Sequence, residues 1–170
     1  MGCTRTRLVR FSTHPVPVHA LELRIPPAAL AVLLGGLMWV SAGVWPAAGF
    51  RLPAGPIIAT CLAAAGVGIA LLGVASFRRA GTTVNPLRPE ATSRLVVSGI
   101  YRWTRNPMYL GMLLVLLGWG AYLGNALAFL PALAFIPLMN RLQIRPEERI
   151  LAATFGPAFT AYRSTVRRWL

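Results

Sequence analysis

The chain has 170 residues, enough for one domain, and 56% of them are hydrophobic while only 12% are charged. A soluble domain carries about 25% charged residues, so this composition disfavours a soluble globule and excludes a disordered chain. The charge is lopsided, because 17 basic residues, all arginine, face four acidic ones for a net charge of +13. With two cysteines and two histidines, we expect neither a disulfide framework nor a metal site.

The first half of the chain predicts two membrane-spanning helices. A basic N-terminal segment, residues 1–24, precedes two stretches of 26 uncharged positions that are separated by Arg51. A bilayer core of about 30 Å needs roughly 20 apolar helical residues to cross it. We therefore predict one span over about 27–45 and a second over about 56–77, which together form a unit of residues 25–77.

A third uncharged stretch, of 35 positions over 106–140, is too long for one helix and short for two. Gly124-Asn125 near its middle is a pair that stops helices and forms turns. We predict a tight helical hairpin with arms over about 107–123 and 126–140, each at the short end of what crosses a membrane. The alternative is one long tilted helix.

The positions of the arginines predict the orientation. Residues 1–24 carry four, 78–106 carry six and 141–170 carry six. The positive-inside rule places these segments, and both termini, in the cytoplasm. The same bias explains the net charge, so we expect no nucleic-acid partner. The predicted fold is an all-α integral membrane protein with about four spans and a cytoplasmic C-terminal helical segment. Arginine-only, alanine-rich usage indicates a bacterial inner membrane.

Polar chemistry is concentrated in the cytoplasmic segments, first in the loop before the third span. Asn106 is a natural N-cap and Pro107 a natural first helical residue. An arginine beside a helix N-terminus, here Arg105, makes an anion site because free amides and the helix dipole face the ligand. The alternative is that Arg102 and Arg105 only reach toward lipid headgroups.

The segment after the fourth span holds the paired acids of the chain. Pro146 predicts a helix start with Glu147 and Glu148 in the first turn, where the helix dipole favours them. A following helix with Arg163 and Arg167 on one face is typical of a helix lying on an anionic leaflet. The two acids are either simple capping residues or, beside arginines, ligands for a cation.

A ligand that needs an anion site and a cation site together is a zwitterionic amino-acid group. A sulfonium also gains from aromatic faces, which Tyr101, Trp103 and Tyr109 offer near Arg105 in the sequence. S-adenosylmethionine has all of these parts. Composition alone does not select it.

Two of these segments carry a family resemblance. Arg105-Asn106-Pro107-Met108-Tyr109, an apolar hairpin and Glu147-Glu148 resemble the isoprenylcysteine carboxyl methyltransferase and phospholipid methyltransferase family of integral membrane enzymes. The upstream Gly99-x-Tyr101 and the terminal Arg167-Arg168-Trp169 are similar to that family as well. The resemblance covers about residues 75–170, within a unit of 78–170. Asn106 stands where the family often has histidine, which excludes an imidazole base here.

The resemblance implies methyl transfer from S-adenosylmethionine at the cytoplasmic face to a lipophilic or small acceptor, with membrane lipids as partners. It implies that Arg105 and Glu148 are catalytic, that Arg105 holds the methionine carboxylate and that one glutamate holds the ammonium. The acceptor is a carboxylate, a thiol or an amine. The cofactor-binding residues that it implies are Gly99, Tyr101, Arg105, Asn106, Pro107, Tyr109, Glu147 and Glu148.

Two other functions stay open at this point. The first is an NADPH-dependent membrane reductase of the steroid-reductase type, although the chain has no glycine-rich dinucleotide fingerprint. The second is a non-catalytic membrane scaffold or lipid-binding protein. Binding of S-adenosylmethionine, of NADPH or of neither separates the three. The sequence predicts no oligomeric state.

Overall fold

The structure is a computed structural model that describes residues 22–81 and 95–170. Within these ranges the fold is helical and contains no strand. Residues 1–21 of the predicted basic segment and residues 82–94 of the predicted middle loop lie outside the described residues, and the three predicted units stay predictions. The helices are α1 (Pro27–Val44), α2 (Gly55–Arg79), α3 (Pro107–Leu123), α4 (Phe129–Met139), α5 (Arg145–Phe155) and α6 (Pro157–Thr165).

Helices α1 and α2 follow the uncharged stretches closely. Each has a proline at its first or second position, where a missing N–H costs nothing, and α2 ends on Arg78 and Arg79. Both are long and apolar enough to cross a membrane, and α3 is a shorter apolar helix. The predicted count of four spans therefore stays a prediction.

Helices α3 and α4 are joined by a short turn. Gly124 adopts a left-handed conformation with φ of 57° and ends α3, as glycine does without steric cost. Asn125 Oδ1 then accepts a hydrogen bond of 2.9 Å from the Leu127 amide. Because this side chain holds the turn, α4 begins at Phe129, three residues after the predicted start.

The fourth helix does not stop before the paired acids. Helix α4 passes through a π-helical turn, Asn140–Ile144, directly into α5, and the Arg145 amide donates to the Asn140 carbonyl five residues back. Pro146 has no N–H for the Leu142 carbonyl, which accepts a hydrogen bond of 3.0 Å from the Leu23 amide instead. α5 thus begins where predicted, but as the continuation of α4.

Helices α2 and α3 pack backbone against backbone. A Cβ atom added to Gly66 would lie 2.5 Å from the Gly111 carbonyl oxygen, and one on Gly118 would lie 2.8 Å from that of Ala59. Only residues without a side chain allow such an approach, which is how membrane helices pack without a hydrophobic driving force.

A buried core joins α1, α3 and α4. Met38, Phe135 and Met139 are completely buried there. The Trp119 indole donates a hydrogen bond of 3.1 Å to the Gly35 carbonyl and so ties α3 to α1.

The α1–α2 loop and the α3–α4 turn meet at one end of the helices, which we call the turn end. The Phe50 amide donates to the Gly124 carbonyl at 2.7 Å. Asn125 Nδ2 donates to the Trp45 carbonyl at 2.8 Å. The N-terminus of α3 and the paired acids therefore lie at the opposite end.

The chain turns back after α5. Gly156, with φ of 51°, separates α5 from α6, and Val166 is already extended. Arg167 therefore lies outside α6, and the predicted helical face with Arg163 and Arg167 does not form. Residues 166–170 instead run back toward the start of α3; we call them the terminal strap.

Candidate active site

The terminal strap is bound to the loop that precedes α3. The Arg105 amide donates to the Arg167 carbonyl at 3.1 Å. The Arg168 carbonyl accepts from Thr104 Oγ1 at 3.3 Å and from Asn106 Nδ2 at 2.9 Å. Two segments more than 60 residues apart in sequence are thus joined at one place.

Asn106 stands at the N-cap position of α3, but its side chain caps nothing. Its carbonyl accepts the first helical bond, from the Leu110 amide at 2.9 Å. The predicted capping role of Asn106 is wrong, because its side-chain amide is committed to the Arg168 carbonyl instead. Pro107 has no N–H, and because no side chain caps α3, the remaining amides of its first turn are uncapped and available to an anion.

Glu148 of α5 lies between two arginines. Arg168 donates hydrogen bonds to both of its carboxylate oxygens, from Nε to Oε1 at 3.1 Å and from Nη2 to Oε2 at 2.7 Å. Arg105 Nη1 lies 3.1 Å from the same Oε1. The side chains of Arg105 and Glu148 are only 11% and 12% exposed. One carboxylate therefore neutralises two guanidinium groups in part, and a positive charge remains.

Arg105 keeps unused hydrogen-bond donors. Its Nε and Nη1 are buried and form no hydrogen bond in the part of the chain that the structure describes, although Nη1 is in ion-pair contact with Glu148. Burial lowers the pKa of Arg105, and the charge of Glu148 opposes that effect. Since buried donors normally have partners, this arginine is suited to a carboxylate or phosphate of a ligand.

Glu147 is in a different environment from its neighbour. Tyr109 of α3 donates a hydrogen bond to its Oε1. No arginine forms an ion pair with Glu147 within the described ranges. Burial raises the pKa of Glu147 to about 8, the hydrogen bond from Tyr109 lowers it, and the charge of Glu148 raises it. This carboxyl group is available to a cation or a proton.

Two further tyrosines belong to this cluster, Tyr101 near Glu147 and Tyr162 near Arg105. The Tyr162 hydroxyl donates to the Tyr101 carbonyl at 2.7 Å, and the Tyr101 ring meets Phe77 edge-on with centroids 5.3 Å apart. Burial raises the pKa of Tyr101, and the charges of Tyr162 and Glu147 add to the effect. The Tyr101 phenol thus stays protonated.

The structure places the predicted site residues in two groups. It brings together Arg105 with Glu148, and Tyr109 with Glu147, and it places Tyr101 close to Glu147. Their binding roles stay predictions.

Gly99 and Pro107 form the second group, and their contacts are with α2. A Cβ atom on Gly99, whose φ is 63°, would lie 2.9 Å from Ser76 Oγ. The Pro107 ring lies over Gly73, where an added Cβ atom would approach it to 3.1 Å. These residues shape the loop and the start of α3, and Asn106 binds the terminal strap.

Sequence reasoning missed Arg168 and Thr104 as members of this site. Thr104 is 1% exposed, and its Oγ1 also accepts from the Asn106 amide at 3.2 Å. The available signal was the terminal Arg167-Arg168-Trp169, noted only for its resemblance. Trp169 Nε1 donates to Asn140 Oδ1 at 3.2 Å and fastens the terminal strap to the π-helical turn.

An apolar helical fold that gathers arginines and carboxyl groups at one end of its helices is typical of a membrane protein with a polar cluster at one membrane surface. The chain belongs to the phospholipid methyltransferase family, whose model matches residues 55–158. This confirms the resemblance, since that family includes the isoprenylcysteine carboxyl methyltransferases. Membership indicates a methyltransferase and, with two helices able to span a bilayer, a membrane protein. It does not favour the reductase or the scaffold.

The chain is also similar to an uncharacterized protein of Haemophilus influenzae. The two are 48% identical over 63 residues, which are 37% of this chain and 100% of the relative. No solved structure matches the chain.

Proposed function

We propose that this protein transfers a methyl group from S-adenosylmethionine to a lipophilic or small acceptor at the cytoplasmic face of a bacterial inner membrane. The observation that carries the proposal is the pair of buried donors on Arg105 that form no hydrogen bond among the described residues, in the same site as Glu147, which forms no ion pair with an arginine there. Membership of the phospholipid methyltransferase family supports the same reaction.

The residues fit the amino-acid end of this cofactor. Arg105 and the uncapped amides of α3 would hold the carboxylate. Glu147 would hold the ammonium, because Glu148 is already committed to Arg105 and Arg168. The rings of Tyr101 and Tyr109 would face the sulfonium or the adenine. Glu148 then acts by setting the charge around Arg105.

The chemistry divides between cofactor and protein. S-adenosylmethionine supplies a methyl carbon bonded to a positively charged sulfur, so the protein has to position the acceptor and exclude water. An acceptor amine or thiol must also lose a proton. For such an acceptor Glu147 in its ionised form is the candidate base, a role that replaces binding of the ammonium. A carboxylate acceptor would need no base.

A groove of about 660 Å³ between α1, α2 and α3 supports a lipophilic acceptor. Its walls carry Gly35 and Gly66, and its floor runs along α3 from Gly111 to Trp119. Gly111 lies two residues beyond Tyr109, about 3 Å further along the α3 axis, although the two residues face different sides of the helix. An acyl or prenyl chain in the groove would therefore place its polar end at about the depth of Tyr109.

The orientation with both termini in the cytoplasm remains part of this proposal. The turn end carries Arg51 as the charged residue of its two connections, whereas the site end has Arg78, Arg79, Arg102, Arg105 and the six arginines of residues 141–170. S-adenosylmethionine is made in the cytoplasm, so the site end has to face that compartment.

The test is a calorimetric titration of the detergent-purified protein with S-adenosylhomocysteine, with NADPH titrated in parallel. We expect saturable micromolar binding of S-adenosylhomocysteine, its loss in Arg105→Ala, and its retention in Arg102→Ala. Arg102 is the matched control because it is an exposed arginine in the same loop. Binding of NADPH alone, or of neither ligand to folded protein, would contradict the proposal.

A further inference from the structure

We propose that Arg168 is a positioning residue, which holds Glu148 by both carboxylate oxygens and so keeps the donors of Arg105 free for the anionic end of a ligand. The inference rests on the proposed function, because the ligand it considers is the amino-acid group of S-adenosylmethionine.

The geometry around Glu148 is unequal. Arg168 donates from Nε and Nη2 to the two oxygens at 3.1 and 2.7 Å, which is the two-point pairing that arginine makes with carboxylates. Arg105 approaches one oxygen at 3.1 Å without a hydrogen bond. Glu148 is thus hydrogen-bonded to Arg168, whereas its contact with Arg105 is an ion pair without a hydrogen bond.

Without the Arg168 side chain, Glu148 would turn to the nearest remaining cation. That cation is Arg105, already in ion-pair contact and just as shielded from solvent. Glu148 would then hydrogen-bond the donors of Arg105, and a ligand carboxylate would have to displace it. Since a hydrogen bond between charged groups stabilises strongly, we expect about 10- to 100-fold weaker binding of a ligand that carries a carboxylate.

The backbone of the terminal strap does not depend on the Arg168 side chain. The Arg168 carbonyl accepts from Thr104 and Asn106, and Trp169 is fastened to Asn140. Substitution of the side chain alone therefore leaves these bonds in place. Arg168→Ala and the longer Arg168→Gln both remove the paired hydrogen bonds to Glu148 and leave the backbone bonds of the terminal strap intact.

Loss of a positive charge would itself weaken anion binding, so a charge-matched control is required. Arg163 supplies it, because Arg163 and Arg168 both lower the pKa of Arg105 by their charge, while only Arg168 hydrogen-bonds Glu148. Arg163 is exposed. Arg163→Ala thus removes a comparable charge and leaves Glu148 in place.

The experiment compares two ligands that differ in the amino-acid group. S-adenosylhomocysteine carries the carboxylate, and 5′-methylthioadenosine has the same nucleoside thioether without it. Wild type, Arg168→Ala and Arg163→Ala are titrated with each. We expect Arg168→Ala to lose about 10- to 100-fold in affinity for S-adenosylhomocysteine and to bind 5′-methylthioadenosine unchanged. Arg163→Ala should change the ratio of the two affinities by less than about threefold.

A rescue separates this role from a structural one. In Glu148→Gln/Arg168→Ala the carboxylate that would occupy Arg105 is gone, so affinity for S-adenosylhomocysteine should return toward the wild-type value. The inference would be overturned if Arg168→Ala and Arg168→Gln lost affinity for both ligands equally, or if the double variant did not regain affinity for S-adenosylhomocysteine. The proposed function would stand in either case. No binding of S-adenosylhomocysteine by the wild type would overturn both.

Discussion

Tyr109 of α3 donates a hydrogen bond to Glu147 of α5 across 38 residues of sequence. The bond links the segment that begins the third helix to the paired acids, so these two sequence motifs form one site. It also distinguishes Glu147 from Glu148, because one acid has a phenol as its partner and the other has two arginines.

Removal of this hydrogen bond should change the pH dependence of the protein. The bond favours ionised Glu147, so Tyr109→Phe should raise the pKa of Glu147 above its value of about 8. If cofactor binding and methyl transfer need ionised Glu147, the pH at which each is half-maximal should then be higher by about one pH unit. The measurement is the affinity for S-adenosylhomocysteine from pH 6 to 9.5.

Tyr122→Phe is the matched control for that substitution. Tyr122 lies in the same helix, is 62% exposed and stacks on Trp119 near the turn end. Its substitution should leave the pH midpoint unchanged. An unaltered midpoint in Tyr109→Phe would mean that the ionisation of Glu147 does not govern binding.

Glu147 should also make the stability of the protein depend on pH. Its pKa is raised from 4.5 to about 8 on folding, so its contribution to stability is fully present below pH 4.5 and is lost as pH rises through 8. In Glu147→Gln this loss should disappear. Thermal unfolding in detergent between pH 5 and 9 tests it, and an equal fall in melting temperature for both proteins would contradict it.

The close contact of α2 and α3 should tolerate no added methyl group at Gly66. A Cβ atom there would lie 2.5 Å from the Gly111 carbonyl oxygen, so Gly66→Ala must push the helices apart. We expect a loss of about 1–3 kcal/mol in the free energy of unfolding. Gly68→Ala is the control, because nothing lies within 4 Å of its Cβ position. Gly68→Ala should leave the free energy of unfolding unchanged or raise it by up to about 1 kcal/mol. An equal loss of stability in both variants would contradict a close approach of α2 and α3 at Gly66.

The proposed orientation predicts which residues are reached from outside the cytoplasm. Ala126 at the turn end and Ala153 in α5 are both exposed, so each can carry a single cysteine in a chain whose natural cysteines are replaced. An impermeant maleimide should label Ala126→Cys in intact cells and Ala153→Cys only after permeabilisation. The reverse pattern would overturn the orientation.

Much of the helical layout could be predicted because it depends on local signals. Long runs without charge, prolines at helix starts and the Gly124 turn give bounds within a few residues for α1, α2 and α3. These signals act within one helix and its ends. The family resemblance also predicted that Arg105 and the two acids belong to one site, but the ion pair between Arg105 and Glu148 was not predicted.

The remaining features depend on contacts between distant segments. The passage of α4 into α5 depends on the Leu23 amide, which satisfies the carbonyl that Pro146 leaves free. The role of Arg168 depends on the turn at Gly156, which brings the terminal strap back to Glu148. Asn106 fits the rule for a capping residue, yet the strap offers its side chain another partner. Periodicity and spacing contain none of this information.

The π-helical turn sets the direction in which α5 faces. A π turn holds one residue more than an α-helical turn, so it accommodates that residue without rotating the helix that follows. If Asn140–Ile144 formed regular α-helix at the same chain length, every residue of α5 would rotate by about 100° about the helix axis. Glu147 and Glu148 would then leave the side that faces Tyr109 and Arg105, although both would still be present. Deletion of one residue from the turn, by contrast, would give regular α-helix and leave both acids facing the site.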